Sequence, residues 1–123
     1  MSKKSIEKVI QLYFDSMFES SNEKVKQSFH PNAIIAGVFG GKFVEMNRDA
    51  FGKFVEKNQP SAKANNEEPK LEIVSVEIAG DTAMARVRDD YLGLTFLDTL
   101  SLVKMGKHWV IYNKLFHIEG DAH

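Results

Sequence analysis

The chain has 123 residues, 43% of them hydrophobic, with 16 basic and 17 acidic side chains and no cysteine. That length makes a single domain, 1–123, able to bury a core without staples. A formal charge of -1 argues against nucleic acid as the partner, since phosphate binding needs a basic excess, and the lack of cysteine removes disulfides, thiolate nucleophiles and thiolate metal sites. No apolar run behind Lys3 and Lys4 is long enough for a signal peptide, and none reaches membrane-spanning length, so a cytoplasmic protein with no membrane partner is expected.

From Ser5 the apolar residues fall at Ile6, Val9, Ile10, Tyr13, Phe14, Met17 and Phe18, the three-and-four spacing of one helical stripe. Ser20 and Glu23 offer a capping box for a second helix, with Val25 and Phe29 inward, which must end by His30 because Pro31 follows. Ala33 to Ala36 reads as a short strand, Gly37 to Gly41 as a turn, and Lys42 to Glu45 as the return of a hairpin. Asn47 can cap a third helix running from Arg48 to about Asn58, and the segment from Gln59 to Pro69 is a loop.

The remainder is β-rich. Leu71 to Ile78, Thr82 to Tyr91, Phe96 to Val103 and Trp109 to His117 are separated by glycine-containing breaks and predict a meander. Helices followed by such a meander give an α+β fold with the N-terminal helices packed on a strongly curved antiparallel sheet. Alternation places Phe96, Asp98, Leu100 and Leu102 on one face, and Trp109, Ile111, Asn113, Leu115 and His117 on one face of the last strand. Neither strand has a purely polar face, so a second copy covering the outer side, a homodimer through the sheet, is expected.

Four stretches carry a resemblance: Phe29-His-Pro-Asn-Ala33, Gly80-Asp-Thr-Ala83, Phe96-Leu-Asp-Thr-Leu-Ser-Leu102, and the run from Gly106 to Lys114. With them the whole chain resembles the nuclear transport factor two-like superfamily, with its SnoaL-like and lumazine-binding-like branches nearest. The resemblance implies a cystatin-like cone, a bent sheet wrapped around helices. The superfamily holds isomerases, dehydratases, cyclases and pure binding proteins, so it implies a fold rather than a reaction.

Asp98 and Tyr13 look like the hydrogen-bond-donating aspartate and tyrosine of the superfamily's ketosteroid isomerases. The carboxylate those enzymes carry on the strand after the second helix has no counterpart in Ile35-Ala36-Gly37. A carboxyl in an apolar cavity has its neutral form favoured and could donate a hydrogen bond to a developing oxyanion. The competing reading is an aspartate tied to Tyr13, Trp109 or a backbone amide, bracing strand against helix.

His117, at the end of the inward face, and His30, before Pro31, are the candidate bases; His30 could equally cap the second helix. Asn113 would orient a ligand, with Met17, Phe39, Phe54, Tyr91 and Phe96 as expected wall residues. Asp89-Asp90 reads as a solvated strand end. No histidine spacing suits a metal, and no phosphate loop or nucleophile elbow occurs. Two functions follow: binding of a small hydrophobic or aromatic molecule with cofactor-free proton-transfer chemistry of isomerase or lyase type, or a non-catalytic carrier or dimeric interaction module.

Overall fold

A computed structural model describes residues 2–122 of the protein. Helix α1 (Ser2–Phe18) buries Ile6, Ile10, Tyr13, Phe14 and Met17, the predicted stripe. Helix α2 (Asn22–Ser28) is capped by Ser21, whose side chain accepts from the Lys24 amide at 3.2 Å, one residue later than the predicted cap. Ser20 instead turns the chain at φ 53° and donates to the Asn58 carbonyl at 2.6 Å. Strand β1 (Phe29–Phe39) runs through Pro31 and is longer than the strand the sequence predicted. It pairs with β2 (Lys42–Asn47), and Asn47 caps α3 (Arg48–Glu56) by accepting from the Ala50 amide at 2.8 Å. Gly52 is needed inside α3 because a Cβ there would collide with the Asn22 side chain of α2.

Four long strands follow: β3 (Leu71–Ala79), β4 (Thr82–Tyr91), β5 (Leu94–Met105) and β6 (His108–Asp121). The sheet order is β2-β1-β6-β5-β4-β3, and every neighbouring pair is antiparallel except β1 with β6. The curved sheet is therefore mixed rather than wholly antiparallel, with the chain leaving α2 to run alongside its own last strand. All three helices lie over one face, and the core between the layers includes Ile6, Ile10, Phe29, Val87, Leu100 and Ile111.

One irregularity decides which side chains face that core. In the β5–β6 pair, Ser101 opposes Asn113 and Leu102 opposes Ile111, so Tyr112 is an extra residue in β6. Such a bulge shifts the alternation by one position. Before it Trp109 and Ile111 are buried; after it Lys114 is buried, and Phe116 and Ile118 pack on the core. Asn113, Leu115 and His117, expected on the inner face by unbroken alternation, are exposed on the other side.

Candidate functional site

Between the β1–β2 hairpin, α3 and the inner face of the meander lies a cavity of about 410 Å³. The hairpin supplies Ile35, Phe39, Val44 and Met46, since Ile35 pairs with Met46 and Gly37 with Val44 on the inward side. Helix α3 adds Phe51 and Phe54, and the meander adds Tyr91, Leu92, Phe96, Phe116 and Lys114. Only Tyr91 and Lys114 among these bear a polar side chain. Gly37 matters to the shape: a Cβ there would stand 2.6 Å from the Phe116 ring. On the far side of Tyr91 a second crevice of about 450 Å³ is walled by Asn65, Glu67 and Glu68 of the loop before β3.

Next to the apolar cavity sits a cluster of buried polar groups. The Tyr13 hydroxyl, carried by α1, donates to Asp98 Oδ2 of β5 at 2.6 Å, and both residues are fully buried. Asp98 Oδ1, both carboxyl oxygens of Asp89 and the Tyr91 hydroxyl are buried without a hydrogen-bond partner. Val87 pairs with Asp98 and Asp89 with Phe96, so the two aspartates are diagonal neighbours on one face. Burial first, then the neighbouring Asp98, pushes Asp89 up to about 8. Burial also raises Asp98, although the Lys114 charge and the Tyr13 hydrogen bond pull it down. Tyr13 is held well above its ordinary range by burial and then by Asp98 and Asp89, and Tyr91 is pushed up to about 12, again chiefly by burial. With Tyr13 satisfying Oδ2, a proton on Asp98 belongs on Oδ1, which leaves the residue a hydrogen-bond donor.

Lys114 of β6 completes the cluster and is 5% exposed. Its Nζ lies 3.8 Å from Met17 Sδ and 4.8 Å from the centroids of both the Tyr13 and Phe51 rings. No carboxylate among the described residues comes within ion-pairing distance of it. The bulge at Tyr112 is what turns this amine inward.

The residues singled out in the sequence fall into three places. Phe39, Phe54, Tyr91 and Phe96 line the cavity. Tyr13, Met17 and Asp98 are buried and are not among the residues that line it. Asn113 and His117 lie on the opposite face of the sheet, which corrects their expected inward orientation. His30 also stands away from the cavity: it sits in β1 and its Nδ1 accepts from the Asn32 amide at 2.9 Å, with its ring 5.1 Å from that of Tyr112. It therefore bonds within its own turn instead of to the last carbonyls of α2.

Two members of the cluster, Asp89 and Lys114, went unread in the sequence. Asp89 was legible in the alternation Ala83, Ala85, Val87, Asp89, Tyr91, each buried. Lys114 was legible only by counting back from Phe116 and Ile118, since counting forward from Trp109 crosses the bulge. Among the described residues no group of three or more histidine or acidic side chains is placed to hold a metal, and no helix is long and apolar enough to cross a membrane.

Comparison with known proteins agrees with this architecture. An NTF-2 like protein of unknown function from Silicibacter pomeroyi DSS-3 superposes with a TM-score of 0.86 at 24% identity, covering 96% of each chain. A similar protein from Shewanella baltica OS155 gives 0.85 at 23% identity, covering 98% of this chain and 95% of that one. One from Methylobacillus flagellatus KT gives 0.84 at 25%, covering 97% and 93%. Aldolase FrzH of a Cladobotryum species is 23% identical over 105 residues, 85% of this chain and 82% of that protein. Residues 1–117 match the family described as "Putative lumazine-binding". The chain belongs to that family, within the NTF2-like superfamily.

Proposed function

We propose that this protein binds a flat, largely apolar small molecule in the cavity beneath the β1–β2 hairpin and acts on it by cofactor-free proton transfer. The observation that carries this reading is the cluster Tyr13, Asp98, Asp89 and Lys114, sealed beside a cavity otherwise walled by hydrocarbon and aromatic rings. Two carboxyls held toward their neutral forms and an adjacent amine supply the donor and acceptor that an isomerase, dehydratase, cyclase or lyase requires. In this reading Asp98, fixed by Tyr13, presents its proton to a developing oxyanion, and Asp89 takes the part of the base that His117 and His30 are too far from the cavity to play. Two likenesses support it: the family's description is "Putative lumazine-binding", and one relative is named an aldolase.

The test is proton exchange. In D₂O the protein should accelerate deuterium incorporation next to the carbonyl of an apolar ketone such as 2-tetralone, followed by NMR. Asp89→Asn and Asp98→Asn should lower that rate about a hundredfold, the contribution typical of one positioned acid or base. Binding of the ketone with exchange at the buffer rate would favour a carrier instead. A specific observation favours that second reading: neither Asp98 nor Asp89 is among the residues that line the cavity.

We also propose that the protein works as a homodimer through the outer face of the sheet. Val38, Phe43 and Leu115 are 58%, 65% and 55% exposed there, and the register sets Val38 beside Phe43. A two-fold pairing lets one apolar stripe cover its own image, and a charge of -1 per chain opposes it little. Light scattering should give the mass of two chains, and Phe43→Glu with Leu115→Glu should give one. A single-chain mass for the unaltered protein would end the dimer proposal.

A further inference from the structure

We propose that Lys114 is a covalent ligand site, whose amine condenses with the carbonyl carbon of an apolar aldehyde or ketone seated in the cavity to form an imine. This rests on the cavity reading above and narrows its substrate to a carbonyl compound. The site is built by three observations. Lys114 is the one amine among the residues lining the cavity, and it is 5% exposed. Its Nζ is met by a thioether at 3.8 Å and two ring faces at 4.8 Å, with no carboxylate close enough to hold it as a fixed ion pair. Apart from Tyr91 the other walls are apolar, so a molecule that enters leaves its water behind and brings its own polar atom to the amine.

A purely structural role, balancing the charge of Asp89 and Asp98, explains this less well. Neither carboxyl lies within ion-pairing distance of the amine, so no bond holds it to that role. A buried amine serving as a nucleophile toward carbonyl carbon is the established chemical use of lysine in a desolvated pocket. The step balances without an oxidant. The nitrogen lone pair adds to the carbonyl carbon and one amine proton passes to the oxygen, giving a carbinolamine. The carbon–oxygen bond then breaks as the remaining proton on nitrogen passes to the hydroxyl, which leaves as water. The Tyr91 hydroxyl, buried without a partner on the cavity wall, is available to that oxygen.

The experiment is reductive trapping on the full chain. Cinnamaldehyde, a flat apolar aldehyde, is added with sodium cyanoborohydride, whose hydride converts the imine carbon–nitrogen bond to a stable secondary amine, and adducts are located by peptide mass spectrometry. Lys114 should be labelled first, about tenfold or more faster than the exposed lysines, as expected for a reactant held in place. Lys114→Met should abolish that adduct. Val44→Trp, which enlarges a wall residue and leaves the amine in place, should slow it if the first variant fails to fold. Labelling spread over surface lysines at the same rate in all three proteins overturns the proposal. Cinnamyl alcohol separates the two readings. If NMR shows it binding at Phe51 and Phe116 while the aldehyde is not trapped, the cavity stands and the imine falls. If neither binds, both fall.

Discussion

On the inner face of the sheet, β4, β5 and β6 each change character along their length, on a diagonal that sets Val87 beside Asp98 and Leu100 beside Lys114. Toward the β3–β4 turn the face is hydrocarbon: Ala83, Ala85 and Val87 on β4, Leu100 and Leu102 on β5, Trp109 and Ile111 on β6. Toward the β4–β5 turn the same strands carry Asp89 and Tyr91, then Asp98, then Lys114. Both ends are buried, yet they act oppositely on stability. The first end removes apolar surface from water, and fully burying a leucine or isoleucine contributes about 1.5–3 kcal/mol. The second buries four polar oxygens on Asp89, Tyr91 and Asp98 with no partner, each costing about 1–3 kcal/mol. Such a cost is carried where burial shapes reactivity, which is why the proposed chemistry belongs to the second end.

The largest break in this contrast should come from pH. A carboxyl whose folded value is raised binds more protons folded than unfolded, so its contribution favours folding below the ordinary value near 4 and is lost as pH rises toward its folded value. For Asp89 that window closes at about 8, and Asp98 acts in the same direction. Urea midpoints should therefore fall by several kcal/mol of stability from pH 5 to 8.5, and Asp89→Asn should flatten the curve by stabilising the protein at the alkaline end. Stability that climbs over this range would contradict the assignment.

Leu100→Ala at the hydrocarbon end should cost about 3 kcal/mol at every pH, since it opens a cavity and removes no charge. Tyr13→Phe, at the polar end, should cost about 1–3 kcal/mol by orphaning Asp98 Oδ2, and more at pH 8.5 than at pH 5, because the Tyr13 hydrogen bond favours the ionised carboxyl. Equal losses at the two values would mean the bond does not favour the ionised form. The smallest effect belongs outside both ends: Asn47→Ala removes the α3 cap and should cost about 1 kcal/mol without altering the pH profile.

The hydrocarbon end was legible in the sequence almost residue by residue. Three-and-four spacing gave α1, and strict alternation in β5 gave Leu100 and Leu102 their side of the sheet. The proximity of Tyr13 and Asp98 was legible too, because each stood out as a polar group on an apolar stripe. The polar end was half hidden. Asp89 looked like a strand end because Asp90 follows it and two adjacent acids suggest solvent, although only one of them can point outward from a strand. Lys114 was concealed by a bulge, which leaves no mark in local composition: Tyr112 is as suitable a strand residue as those around it. The parallel contact of β1 with β6 was likewise invisible, since it joins segments with no local signal linking them.

The extra residue in β6 has a consequence for how such a site could arise or vanish. Closing the bulge at full length, so that every residue of β6 alternated strictly, would slip the distal half by one position against β5, sending the amine to solvent and drawing Asn113 and Leu115 into the interior. Reactive and inert versions of this scaffold are thus separated by a one-residue slip of register instead of by a new side chain. Among proteins of this shape, the register of the last strand would then say more about chemistry than the identity of any one residue upon it.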